Sequence, residues 1–324
     1  MYATAAATAA YARRYPDAYA AGFYSTVADL TVSTLGIGTY LNASVDALVA
    51  AAQSGINFFD AAINYRNQQS ERDVGAALKQ LQRDEIVVCT KAGFLTPGAV
   101  PGFLTPDDVV GNMHSMSPEF LEDQIDRSRA NLGVDTIDVF YLHNPETQLA
   151  HRTREEFDAR IRRAFAHLER MVERQKIRWY GCATWDGFRK PDQLSLARLA
   201  EIAAEEGGAE HRFRFIQLPF NLGMVEAYVG KPESVLQQAG RLGISVVASA
   251  TLLQTRVLEH MPDAVADLLP GLETDAQRAI QFTRSTPGIS VALVGMGSPE
   301  HVRDNIGVAR VPPATPEQYR QLYR

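Results

Sequence analysis

Cysteine is almost absent: the 324-residue chain has two, Cys89 and Cys182, far apart and each inside an apolar run. That usage excludes a disulfide framework and fits buried, reduced thiols. Basic residues are in the minority, 32 Lys and Arg against 38 Asp and Glu for a net charge of -6. The balance offers no cationic footprint to nucleic acid or to an anionic membrane. No apolar run approaches the roughly 20 residues that a membrane span requires. The N-terminus, "MYATAAATAAYARRYPDAYA", is Ala-rich but has no Leu/Val/Phe-rich core, and its arginines follow the apolar stretch instead of preceding it, unlike a secretory signal. The expectation is a cytoplasmic protein with a small-molecule partner, without nucleic-acid or membrane partners, and with a loose or draped N-terminal arm over residues 1–30. No feature speaks to an oligomeric state.

What the chain does have is alternation. Eight short apolar runs recur: "LGIGTY" (35–40), "INFFD" (56–60), "EIVVCTK" (85–91), "IDVFYLH" (137–143), "IRWYGCA" (177–183), "FRFIQLP" (213–219), "ISVVASA" (244–250) and "ISVALVG" (289–295). Helical spacing fills the intervals, most clearly over 155–174, where Phe157, Ile161, Phe165, Leu168 and Val172 recur every three or four residues amid Arg and Glu. "SPE" at Ser117 and Ser298 and "TPEQ" at Thr315 supply helix starts, and Gly133 and Gly243 supply stops. Strands apolar on both faces that alternate with helices predict a parallel sheet covered by helices. Eight such units predict one (β/α)8 TIM barrel over residues 31–324, with its active site at the C-terminal face. The longest irregular stretch, 92–117, follows the third run, and a loop of that length in a compact domain is usually functional.

Polar residues mark the strand ends. Asp60 ends the second run, Lys91 the third and His143 the fourth, while Tyr65 lies in the loop above Asp60. A carboxylate leaving an apolar strand needs a partner, and Lys91 is within reach on the neighbouring strand. This group suits proton delivery to a carbonyl. Tyr65 is the candidate acid, with Lys91 expected to lower the phenol's pKa, Asp60 to hold Lys91 charged, and neutral His143 to orient the substrate oxygen. No side chain supplies a hydride, so a redox cofactor is implied, and no metal is expected.

The motifs "GIGTY" (36–40), "DAAINY" (60–65), "TK" (90–91) and "LH" (142–143) resemble those of the aldo-keto reductase superfamily, and the likeness runs from about Leu35 to Asn305. The resemblance implies reduction of an aldehyde or ketone by NADPH, with NADH possible, on the tetrad Asp60, Tyr65, Lys91 and His143. It further implies cofactor contacts from Gly38, Thr39, Tyr40, Asp60, Thr184, Gln217, Ser249, Leu252, Gln254, Arg256, Gly295, His301, Asp304 and Asn305. The chain departs from the family pattern at three places: Ala183-Thr184 replaces a Ser-Asn pair, Ser249 replaces a stacking aromatic, and Gly295 and His301 stand where cations usually hold a 2′-phosphate. Arg303 is the candidate substitute. Two other readings stand beside this one. Lys91 could form a Schiff base, although Asp60 would keep it protonated, or the barrel could bind NADP(H) as a non-catalytic regulatory or redox-sensing subunit.

Overall fold

The structure, a computed structural model, describes residues 1–15, 18–190 and 192–323. Eight parallel strands close into a barrel in chain order: β3 (Leu35–Gly38), β4 (Phe58–Asp60), β5 (Val87–Ala92), β8 (Ile137–His143), β9 (Ile177–Ala183), β10 (Phe213–Pro219), β11 (Ser245–Ser249) and β12 (Ile289–Gly295). Each of the eight apolar runs becomes one barrel strand. The outer layer is built from helices that include α2 (Val45–Gln53), α3 (Gln69–Leu78), α4 (Pro118–Leu132), α5 (Arg154–Glu173), α6 (Leu196–Gly207), α8 (Val235–Arg241), α10 (Asp275–Arg284) and α11 (Pro299–Asn305). Shorter helical pieces are α7 (Glu226–Val229), α9 (Asp263–Leu268) and α12 (Pro316–Gln321). The capping signals behave as their chemistry dictates. Thr315 forms a reciprocal capping box with Gln318, and Gly133 closes α4 in the left-handed conformation at φ +66°.

Strand alternation sorts side chains into two cores. One parity faces the helices, with Phe59, Val88, Phe140, Leu142, Tyr180 and Ile216 among its members. The other fills the lumen: Phe58, Val87 and Cys89, Val139 and Tyr141, Trp179, Phe215, Val247, Val291 and Leu293. Continuing each inward column by one step of two residues reaches Asp60, Lys91, His143, Gln217, Ser249 and Gly295, and on β9 two steps, past Gly181, reach Ala183. The candidate residues therefore form the top layer of the barrel, carried on a packed apolar stack.

The N-terminal segment is draped, but it is not loose. Helix α1 (Ala5–Ala12) and the hairpin β1 (Tyr24–Val27) and β2 (Leu30–Ser33) lie under the barrel, and Ala3, Val27, Leu30 and Val32 join the lumen core from below. Polar bonds tie them there. Ala3 N–H donates to Asp138 Oδ1 at 2.9 Å, and buried Asn57 bridges Ser33 N, Thr31 O and Glu85 O at 2.9, 3.0 and 3.2 Å. Apolar burial under an otherwise open barrel end explains the order of a segment whose alanines carry little periodic signal. The long 92–117 stretch also gains structure, a short hairpin of β6 (Val109–Val110) and β7 (His114–Ser115).

One glycine sets how closely two strands approach. Gly181 on β9 faces Phe215 of β10 across an irregular register, and a Cβ there would overlap the Phe215 carbonyl and crowd Tyr141 at 3.1 Å. Backbone cannot yield as a side-chain tip can. Gly181→Ala is expected to destabilise the protein by about 3 kcal/mol or more, measured by the shift in its urea denaturation midpoint.

Candidate active site

The top layer is organised by one ion pair. Lys91, fully buried at the end of β5, donates from Nζ to Asp60 Oδ2 at 2.6 Å and to the Ala61 carbonyl at 2.7 Å. Gln217 Nε2 on β10 donates to the other Asp60 oxygen, Oδ1, at 2.8 Å. Burial pulls the Lys91 pKa down, but Asp60 and Tyr65 outweigh it and hold the group above the usual lysine value. Lys91 is therefore a cation.

Tyr65 is brought back over this pair by backbone. Arg66, Asn67 and Gln68 have φ of +50°, +51° and +73°, three consecutive left-handed residues between the loop and α3. Such a run costs energy without glycine, and it turns the chain sharply enough to seat the Tyr65 ring 4.7 Å from Lys91 Nζ. Tyr40 packs on the same ring edge-to-face at 5.0 Å and His143 at 5.6 Å. The balance of forces on the phenol differs from the expectation. Burial raises the Tyr65 pKa above its ordinary value, and Lys91 offsets only part of that rise. Tyr65 rests as a neutral hydroxyl beside a fixed cation.

His143 is held neutral, its pKa pushed well down by burial first, then by Lys91 and His114. Its Nδ1 is buried without a hydrogen-bond partner, so Nε2 is the nitrogen that can serve the cavity. The ring is walled by Tyr65 and by Phe94, whose centroid is 5.3 Å away. Behind it stands His114, from the long loop. His114 Nε2 lies 2.8 Å from the His143 carbonyl oxygen, and Gln148 Nε2 lies 3.1 Å from His114 Nδ1. A nitrogen facing a carbonyl must carry the proton, so His114 donates from Nε2 and accepts at Nδ1. Glu146 fastens the next loop, its Oε1 accepting the backbone N–H groups of Trp185, Asp186 and Gly187 at 2.8, 3.1 and 3.1 Å. Nothing in the sequence singled out His114, Gln148 or Glu146.

These groups open into a cavity of about 730 Å³ that runs from Tyr65, Phe94 and His143 to the 249–256 loop and to Gly295. Gly38, Thr39, Tyr40, Asp60, Thr184, Gln217, Ser249, Leu252, Gln254, Arg256 and Gly295 all line it. His301, Asp304 and Asn305 do not. They lie on α11, and the Asp304 carbonyl is taken by Gln277 at 2.7 Å. Arg303 is paired with Glu300 at 2.7 Å. Ala250, Leu253, Gln254 and Thr255 have φ of +54°, +44°, +53° and +70°, which makes the loop a sharply turned stretch above the cavity's outer end. Among the described residues there is no His/Cys/Asp/Glu cluster fit to hold a metal ion.

The family model of the aldo/keto reductases matches residues 34–262. The chain belongs to the aldo/keto reductase family. Over 193 residues it is 28% identical to the Escherichia coli NADH-specific methylglyoxal reductase, covering 55% of this chain and 56% of that protein. It thus spans little more than half the length of that relative. A longer match, 25% identical over 90% of this chain and 89% of the other, is to a Schizosaccharomyces pombe protein that carries the name of a voltage-gated potassium channel beta subunit. Among solved structures, an aldo-keto reductase from Bacillus halodurans superposes with a TM-score of 0.68 at 20% identity, covering 93% and 95% of the two chains. That likeness shows the fold of this family member to be the family's barrel.

The buried histidines give the site a pH signature. Burial lowers the His114 pKa from 6.5 to about 4. Below about pH 6.5 the unfolded chain takes up a proton that folded His114 refuses, so stability falls as pH drops from 6.5 toward 4. Buried Glu71 and Glu146, raised mainly by burial, act in the opposite direction, and a variant isolates the histidine. Between pH 7 and 4.5 His114 contributes about 2 kcal/mol of the loss. Unfolding titrations at the two pH values are expected to show that difference shrink by about this amount in His114→Asn.

Proposed function

We propose that the protein reduces an aldehyde or ketone to an alcohol with NAD(P)H, using Tyr65 as the general acid. The observation that carries this reading is the meeting of Asp60, Lys91, Tyr65 and His143 at the inner end of one cavity, a neutral phenol resting on a buried cation beside a neutral imidazole. The remaining lining fits a dinucleotide. Thr184, Gln217 and Ser249 would hold the nicotinamide end, and Arg256 with the turned 250–255 backbone would hold the pyrophosphate. When bound, that group supplies the hydride.

The chain's own residues do the rest. His143, neutral, offers its Nε2 proton to the substrate oxygen and sets the direction of the carbonyl. Tyr65 gives the hydroxyl proton to the oxygen as negative charge gathers there. A phenol raised by burial is a reluctant acid, but the phenolate it leaves sits against Lys91. At about 4 Å and an effective dielectric near 20 a cation contributes roughly 4 kcal/mol before desolvation. The site thus keeps the proton on Tyr65 until the product needs it. Asp60 and Gln217 keep Lys91 from swinging toward solvent.

A Schiff base at Lys91 is disfavoured by the same contacts, because an amine donating to a carboxylate and a carbonyl is not a free nucleophile. The non-catalytic reading draws on the likeness to a protein named as a channel beta subunit, and turnover separates it from the reductase reading.

Tyr65→Phe removes one hydroxyl, so NADPH binding by fluorescence is expected to persist while kcat falls by roughly 10² to 10⁴. A panel that includes methylglyoxal, the substrate in the E. coli relative's name, measures it; full activity in Tyr65→Phe overturns the mechanism. Lys91→Met is expected to be equally inactive and less stable by about 3 to 5 kcal/mol, because it strands the Asp60 carboxylate in the lumen.

Cofactor choice follows from charge. Arg256 is the one lysine or arginine lining the cavity among the described residues, and Arg303 already pairs with Glu300. The Kd values for NADPH and NADH are expected to lie within about tenfold of each other. A preference for NADPH of about 10³ in parallel fluorescence titrations would show that a cation from outside this lining reaches the 2′-phosphate.

A further inference from the structure

The geometry assigns His114 as a positioning residue for His143, with Gln148 fixing the proton that His114 uses, so that the 92–117 loop sets the aim of the group that orients the substrate. The inference rests on the carbonyl-reductase reading of the site and goes beyond it to a residue that touches neither substrate nor cofactor.

The His143 ring has no hydrogen bond of its own to hold it. Its Nδ1 is buried and unpartnered, and its Nε2 faces the cavity. A ring so placed can be aimed only by its backbone and by the walls that flank it. His114 controls both. It donates to the His143 carbonyl oxygen at 2.8 Å, which fixes the last peptide of β8 just before the chain turns through left-handed Asn144 at φ +49°. It also packs edge-to-face on Phe94 at 5.2 Å, and Phe94 packs edge-to-face on His143 at 5.3 Å. One imidazole therefore braces the backbone of His143 and the wall of its ring.

The loop is folded to make this possible. Leu95 N–H donates to the Met113 carbonyl and Ser115 N–H to the Gly93 carbonyl, both at 2.8 Å, and Phe94 bridges to His114. The returning limb of the loop is thereby zipped antiparallel to the exit of β5. Gly93 leaves the required space: a Cβ there would stand 2.5 Å from His114 Nε2 and 2.6 Å from the His143 carbonyl oxygen. Any other residue would push the donor off its acceptor. Gln148, fully buried on the turn that follows β8, presents its amide N–H to His114 Nδ1. That contact selects the tautomer whose Nε2 bears the proton, so the loop, β8 and its following turn are joined through one ring.

The test compares His114→Phe, which keeps a ring and loses the donor, with His114→Gln, which returns an amide N–H near the Nε2 position. His114→Phe is expected to lower kcat roughly tenfold to a hundredfold, the effect of a misaimed group, with the NADPH Kd unchanged within about twofold, and His114→Gln is expected to recover most of the loss. Gln148→Met should resemble His114→Phe, and it serves if the latter does not fold. In a His143→Ala background, His114→Phe should have no further effect, because a positioning residue acts only through its target. An equal loss in both backgrounds, or wild-type kcat in His114→Phe and Gln148→Met, overturns the inference. A second readout needs no turnover: the imidazole ¹⁵N resonances of His143 should move in His114→Phe and return in His114→Gln. Unmoved resonances overturn the inference even if the wild-type protein reduces no carbonyl, an outcome that would itself sink the reductase reading.

Discussion

The buried pair of Lys91 and Asp60 is the contact on which the rest of the top layer depends. Taking an ammonium and a carboxylate out of water costs several kcal/mol each, and the pair recovers this only when every remaining donor and acceptor is satisfied. Here the Ala61 carbonyl takes a second proton of Lys91, and Gln217 covers the second oxygen of Asp60. Four strands are implicated in that arrangement, because β4 brings Asp60, β5 brings Lys91, β10 brings Gln217, and β8 brings the imidazole that burial holds neutral and Lys91 keeps so. Barrel closure and site assembly are thus one event. A register slip of one residue in β4 or β5 would turn its charged end outward and leave the partner's bare charge inside.

Around that pair the protein stores strain in backbone instead of side chains. Three left-handed residues follow Tyr65, one follows His143, and four lie in the 250–255 loop. All sit in loops that leave the C-terminal ends of barrel strands, at the same face. Each conformation is one that non-glycine residues avoid. They persist because the strands that precede them are anchored by the lumen core.

Much of this was legible in the sequence. The eight barrel strands were visible as apolar runs because parallel strands are buried on both faces. Asp60, Lys91 and His143 were visible because a polar residue ending such a run has few places to point, and Tyr65 was visible as the loop tyrosine five residues beyond Asp60. Gln217 was visible only through the family resemblance, and the structure brings it to the same layer as Asp60, Lys91 and His143. What stayed hidden depends on contacts between distant residues with no periodic signature. His114 lies in "GNMHSMS", an irregular stretch whose fold is set by bonds to Gly93 and Leu95. Glu146 is an acidic residue in a turn until three backbone N–H groups from residues 185–187 gather on it. The place of helix α1 was hidden for the same reason, since an Ala-rich helix with little amphipathic pattern shows nothing of the open barrel end that it covers. The sign of the Tyr65 shift depended on how far burial outweighs one cation, a three-dimensional balance.

The floor made by Ala3, Val27, Leu30 and Val32 bears on proton traffic. Beneath Lys91 the column is Cys89 and Val87, and beneath His143 it is Tyr141 and Val139, all buried in one apolar cluster with that floor. Among the described residues, those beneath Lys91 and His143 in these two columns offer no charged group to relay a proton to Tyr65 in the proposed reaction. Reloading must come through the mouth, past whatever nucleotide and product occupy it. In the proposed reaction, recharging of the acid is then tied to departure from the cavity, because the Tyr65 hydroxyl is served from the mouth that nucleotide and product would occupy.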